Sequence, residues 1–216
     1  MDDDFWSVPA LDAPLFKPLP AVKAGLLYAD PPWDFKTYVG SGTPHRTDED
    51  HYATITLDDL KALPVADLAA PDCALAMWTT GSHLEQALEL GRAWGFKYKT
   101  DLFTWVKTGK KNAEDRPISM GFWTRKQTEL CLLFSRGRPK RLDAGVRQLI
   151  ETGDNVIYAP KREHSRKPAE AYERLERLVG GPHVELFARP WPENLGLPNW
   201  TFWGNEMPDE DPYGGL

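Results

Sequence analysis

Two cysteines in 216 residues are too few for a disulfide framework, and Cys73 and Cys131 form no CxxC pair. Both lie in apolar runs, at 72–77 and 130–134, which predicts buried, inert thiols in a reducing compartment. His45 and His51 stand near acids but without a second ligand group, so no metal site is expected. No stretch of about 18 apolar residues exists, and Met1-Asp2-Asp3-Asp4 is the reverse of a basic signal sequence. A soluble, cytoplasmic protein is expected. A basic excess is also missing, since the net charge is −6.

That charge is unevenly spread. Asp2, Asp3, Asp4 and Asp12 open the chain and Glu206, Asp209, Glu210 and Asp211 close it, with no Lys or Arg among residues 1–16 or 206–216. Setting those eight acids aside turns −6 into +2 over residues 17–205. Between 125 and 147, seven basic residues (Arg125, Lys126, Arg136, Arg138, Lys140, Arg141, Arg147) face only Glu129 and Asp143. Such a patch is compatible with phosphate contact and equally with a solvated face. Arg138 and Arg141 are its candidate nucleic-acid contacts.

Residues 1–23, rich in proline and acid, read as an extended arm, 24–206 as one domain and 207–216 as an acidic tail. Strands are expected near 24–29, 73–78, 98–106, 130–134, 155–159 and 183–188. Thr56 with Asp59 reads as a capping box, and Ser82 with Glu85 as a second, opening a helix that ends near Gly95. Pro168 suits the first position of a helix running to about Val179. Residues 34–50 and 107–121 lack periodicity and predict long loops. Strands alternating with helices predict one α/β domain with a mainly parallel sheet.

Asp30-Pro31-Pro32-Trp33 follows the apolar run Gly25–Ala29. Open α/β sheets bind ligands at the carboxyl ends of their strands. The 6-amino nitrogen of adenine is a poor nucleophile because its lone pair is delocalised into the ring. An Asp30 oxygen and the Pro31 carbonyl, each accepting one of its N–H groups, draw the nitrogen toward tetrahedral geometry and free the lone pair. Proline stiffens the turn and fixes the carbonyl. Trp33 is the candidate stacking surface, a contact worth roughly 1–3 kcal/mol per base. A paired base must first be flipped out. The competing reading is structural: the prolines end a strand and Trp33 packs in the core.

With this tetrapeptide the chain resembles the mRNA adenosine methyltransferase-like (MT-A70) family. The likeness continues through Tyr52 with Thr56–Leu60, Trp78-Thr79-Thr80-Gly81, Trp94-Gly95-Phe96, Trp105-Val106-Lys107-Thr108 and Glu129-Leu130-Cys131. It then takes in Lys167-Pro168-Ala169-Glu170, Glu185–Pro190 and Asn199-Trp200…Gly204-Asn205-Glu206. The resemblance implies a Rossmann-like S-adenosylmethionine-dependent methyltransferase sheet in permuted order, with the amine-holding motif first and the cofactor strand late. It implies S-adenosyl-L-methionine as cofactor, with Asp30 at its methionine amine, Lys167 at its carboxylate, Phe187 nearby and Arg189, Asn205 and Glu206 around the ribose. Tyr52 is implied as a substrate-loop residue. After Arg189-Pro190 the family's ribose-contacting pair is replaced by Trp191-Pro192-Glu193-Asn194, and nothing resembles a zinc-finger RNA-binding region.

The resulting expectation is an adenine N6-methyltransferase acting on nucleic acid, DNA before RNA, and a homodimer by analogy. Two alternatives remain: a non-catalytic nucleic-acid-binding partner subunit, or an amine methyltransferase on a small molecule or protein. The retained Asp30 and Trp33 weigh against the first, and the basic segment against the second.

Overall fold

The computed structural model describes residues 15–33, 55–108, 123–124, 126, 128–143, 156–160, 166–191 and 196–208. Its strands are β1 (Ala24–Ala29), β2 (Ala69–Thr79), β3 (Lys97–Thr108), β4 (Thr128–Arg136), β5 (Val156–Pro160), β6 (His183–Leu186) and β7 (Trp200–Trp203). They form one seven-stranded sheet in the order β5-β3-β4-β2-β1-β6-β7. β4 runs antiparallel to both its neighbours, and the other pairings are parallel. The mainly parallel α/β expectation therefore holds, as the permuted Rossmann-like sheet of the methyltransferase reading. β7 is a strand that its sequence, crowded with Trp and Phe after Pro198-Asn199, did not announce.

Strands buried on both faces read as near-continuous apolar runs, which β1 and β2 do. Leu27, Ala29, Cys73, Leu75 and Met77 point to one core, and Leu26, Tyr28, Ala74, Ala76 and Trp78 to the other. Both cysteines are buried, and burial pushes the Cys73 thiol up to about 12. Helices α1 (Leu57–Ala62) and α2 (Leu84–Ala93) cover the first face, with the indole N–H of Trp94 donating to the Leu60 carbonyl at 2.9 Å. Helix α3 (Glu170–Leu178) lays Ala171, Tyr172, Leu175 and Leu178 on the second. Full burial of one such Leu contributes roughly 1.5–3 kcal/mol.

The Thr56–Asp59 capping box is present in both directions. The second box is not. His83 is the cap residue of α2 and makes no side-chain cap bond, because the Ser82 hydroxyl instead accepts from Lys126 Nζ at 2.9 Å and pairs with Thr80. Gly95, at φ +85, ends α2: its N–H reaches the Arg92 carbonyl and that of Phe96 the Gly91 carbonyl, the paired bonds of a Schellman stop. Pro168 also lies outside its expected place, since α3 begins at Glu170 with Ala169 as cap. β6 stops at Leu186, short of the expected Ala188, because Phe187 turns to φ 62.

Candidate active site

Parallel strands deliver their carboxyl ends to one edge of the sheet, and antiparallel β4 brings its amino end to the same edge. Asp30, Thr79, Thr108, Phe187 and Gly204 therefore gather there together with Glu129. Between β1 and β6 the chain order changes direction, the place where open α/β sheets hold ligands. Asp30–Trp33 leaves β1 at that crevice.

The tetrapeptide is a tight turn. The Trp33 backbone N–H donates to the Pro31 carbonyl at 2.9 Å, which leaves that oxygen one further lone pair. The Trp33 indole N–H donates to the Trp78 carbonyl at 3.1 Å, tying the turn to β2. Its ring stacks on His83, with centroids 5.9 Å apart and planes 14° apart, and is 9% exposed. The ring is thus largely buried, with its N–H and one face engaged, as in the reading in which Trp33 packs in the core. Trp33 is a buried wall that locks the turn, because β2 supplies a carbonyl and α2 a ring to receive it.

Behind Asp30 runs a ladder of alternating charge. Lys167 Nζ lies 2.5 Å from Asp30 Oδ2 and 3.3 Å from Glu129 Oε2, and Lys107 Nζ lies 2.5 Å from Glu129 Oε1. The side chains of Lys167 and Glu129 are 8% and 9% exposed, that of Asp30 34%. Burial raises the Asp30 carboxyl above its ordinary range; Lys167 opposes this and nearby Glu129 adds to it. Burial also acts upward on Glu129, yet the ammonium groups of Lys167 and Lys107 together outweigh it and hold that carboxyl low. Desolvation acts downward on Lys167, and the two carboxylates overcome it, so its ammonium is held above the ordinary lysine value. The ladder carries two positive and two negative groups.

Across the crevice, Phe187 packs against Phe16, Trp94 and Trp203. Its left-handed backbone is costly for a bulky residue and persists where packing overdetermines it. Gly204 is needed beside it, because a Cβ there would lie 2.3 Å from the Ala188 carbonyl oxygen. Arg189 Nε donates to Glu206 Oε1 at 2.8 Å, so these two expected cofactor residues meet in an exposed pair. Asn205 holds residues 15–17: its Nδ2 donates to the Leu15 carbonyl at 2.8 Å and its Oδ1 accepts the Lys17 N–H at 3.3 Å.

Arg138 and Arg141 are not at this edge. Antiparallel β4 begins at Glu129 beside the site and carries the chain away, so the turn after Arg136 emerges at the amino edge. There Cys73 pairs with Arg136, and Arg141 bridges to Val179 at the end of α3. Seven residues at ~3.3 Å each separate Arg136 from Glu129 by about 23 Å. The two arginines therefore stand at the edge of the sheet opposite Asp30. Tyr52 lies outside the described residues.

In the sequence, Glu129 and Lys107 stand out only as members of the family-like segments Glu129-Leu130-Cys131 and Trp105-Val106-Lys107-Thr108. The available signal was a charge opening one apolar strand and another closing the previous one. Only the antiparallel pairing of β3 with β4 makes them neighbours.

Comparison with known proteins agrees with this geometry. The MT-A70 family model matches residues 25–206. The chain is 32% identical over 212 residues to the type II methyltransferase M.MunI of Mycoplasma sp., covering 90% of this chain and 82% of that protein. It is 33% identical over 186 residues to the N(6)-adenosine-methyltransferase catalytic subunit METTL3 of Homo sapiens and to the MT-A70-like protein of Drosophila melanogaster. Each match covers 86% of this chain but only 28% and 27% of those longer proteins.

Proposed function

The chain belongs to the MT-A70 family, and we propose on that premise that it methylates the N6 amine of adenine in DNA, using S-adenosyl-L-methionine. The observation that carries the reading is the Asp30 carboxylate at the β1–β6 crevice, beside a carbonyl fixed by the Trp33 turn. DNA is preferred because M.MunI is matched over 82% of its length, whereas the adenosine enzymes are matched over less than a third. Among the described residues, no helix is long and apolar enough to cross a membrane.

The donor set fits the cofactor. Its methionine end is a zwitterion, and the site offers a carboxylate and an ammonium side by side in Asp30 and Lys167. Phe187 offers an apolar wall, and Arg189 with Glu206 the charged and hydroxyl-accepting groups suited to a ribose. When bound, the cofactor supplies an electrophilic sulfonium methyl group.

The protein's own task is positioning. Asp30 and the second lone pair of the Pro31 carbonyl accept the two N–H bonds of the adenine amine. The nitrogen lone pair is thereby released from the ring and aimed. Alignment of this kind removes roughly 7–11 kcal/mol of barrier. Trp33 holds the clamp still through its bond to Trp78. Glu129 anchors Lys167 from behind, so that Lys167 stays in place when Asp30 turns to another partner. A homodimer, one copy holding DNA for the other, suits so compact an enzyme, and sedimentation on DNA tests it.

Incubation of the full chain with methyl-labelled S-adenosylmethionine and three acceptors (duplex DNA, RNA and a protein extract) tests the reading. Label on adenine N6 of DNA is the expected result. Label on RNA or protein in preference to DNA overturns the substrate, and label on none overturns the activity.

A further inference from the structure

The strand register collects a group of cations far from the methyl-transfer edge. Lys97 at the start of β3 pairs with Ser135 near the end of β4. Lys97 and Lys99 therefore stand beside the turn that carries Arg138, Lys140 and Arg141, and all five side chains are exposed. Tyr98 lies between the two lysines, half exposed, with its ring edge-on to Phe134.

The turn is held rather than loose. The Arg138 N–H donates to Asp72 Oδ1 at 2.7 Å, the Leu142 N–H to the Leu178 carbonyl at 2.9 Å, and Arg136 NH1 to the Ala66 carbonyl at 2.7 Å. The nearby acids offset only part of the positive charge. Asp72 and Asp101 keep theirs while accepting from neutral donors, the Arg138 N–H and the Thr100 hydroxyl, and Asp143 is spent on Arg177, a cation outside the group. A concentration of positive charge on a fixed backbone, in a chain of net charge −6, costs self-repulsion that a polyanion relieves.

We propose that Lys97, Lys99, Arg138, Lys140 and Arg141 form a second contact for the sugar-phosphate backbone of the nucleic-acid substrate, separate from the site that holds the target base. The proposal rests on the nucleic-acid reading above. It deepens that reading by making recognition depend on substrate length. About 23 Å of strand lies between the two edges, and phosphates recur every ~3.4 Å along a strand, so the second contact lies roughly seven base pairs from the target. A substrate extending less than that on either side occupies the base site alone. Being electrostatic, the contact adds affinity without sequence preference.

Two duplexes with one target adenine, one of about 30 base pairs and one reaching only about four base pairs on each side, test this with the full-length protein. For the Arg138→Glu/Arg141→Glu variant, KM on the long duplex is expected to rise at least fivefold. The slope of log affinity against log salt is expected to fall by about 2, as for two lost phosphate contacts. On the short duplex the variant should match the parent within twofold. Lys97→Glu/Lys99→Glu, on the neighbouring strand, should give the same length-dependent pattern. Equal losses on both duplexes, or none on either, overturn the proposal. Failure of the parent to methylate either duplex counts against the substrate reading instead, and salt-dependent binding to the long duplex then still decides the patch.

Discussion

Lys167 and Asp30 are 137 residues apart in the chain and 2.5 Å apart at ammonium and carboxylate. Each is the other's partner and, in the proposed function, each takes a different one when the cofactor binds. Glu129 makes that exchange tolerable. Its carboxylate also contacts Lys167, at 3.3 Å, so the buried ammonium is never left without a counter-charge.

Asp30→Ala removes half of the amine clamp and exposes no apolar core, since that side chain is a third exposed. Methyl transfer should fall at least ~100-fold, equivalent to about 2.7 kcal/mol of transition-state stabilisation, with an unchanged circular dichroism spectrum. Activity within tenfold of the parent refutes the role.

Lys167→Met leaves two carboxylates facing each other without their shared cation. Breaking a buried pair costs about 3–5 kcal/mol, and the partial exposure of Asp30 favours the lower end. The pH dependence follows the raised lysine. Its contribution is fully present below the unfolded value of roughly 10.4 and is lost as pH rises through the higher folded one. Urea unfolding between pH 8 and 11 should therefore show a steeper loss for the parent than for Lys167→Met. Parallel curves would contradict this.

The acid side is read by activity. Asp30 must be ionised to accept the amine, and burial raises its carboxyl, with Glu129 adding to the shift. The fall in kcat/KM at low pH should be centred above the ordinary aspartate value of about 3.9. Glu129→Gln removes one upward influence and should move that limb to lower pH. The apparent midpoint belongs to the coupled cluster, so the direction of the move is the measurement.

The two apparent capping boxes should behave differently. Thr56→Ala removes a cap bond that is present and should cost about 1 kcal/mol in chemical denaturation. Ser82→Ala removes no cap bond, because Ser82 faces Lys126 and Thr80, and should cost less than half as much. Equal losses would return Ser82 to the helix cap.

Local pattern alone was enough for much of this protein. β1 begins and ends where its apolar run does, and Thr56 caps α1, because both are decided within a few residues. The Asp30–Trp33 motif announced a site at a strand end for the same reason. What the sequence alone could not decide was direction. Nothing in the run Leu130–Phe134 says that β4 runs against its neighbours, yet that reversal brings Glu129 to the Asp30 edge and carries Arg138 and Arg141 to the opposite one. The surroundings of Trp33 were likewise settled by packing, since a carbonyl from β2 and a ring from α2 receive it. Side-chain type is carried by the chain itself. Neighbourhood between residues a hundred positions apart is set by pairing and burial, which only the assembled sheet provides.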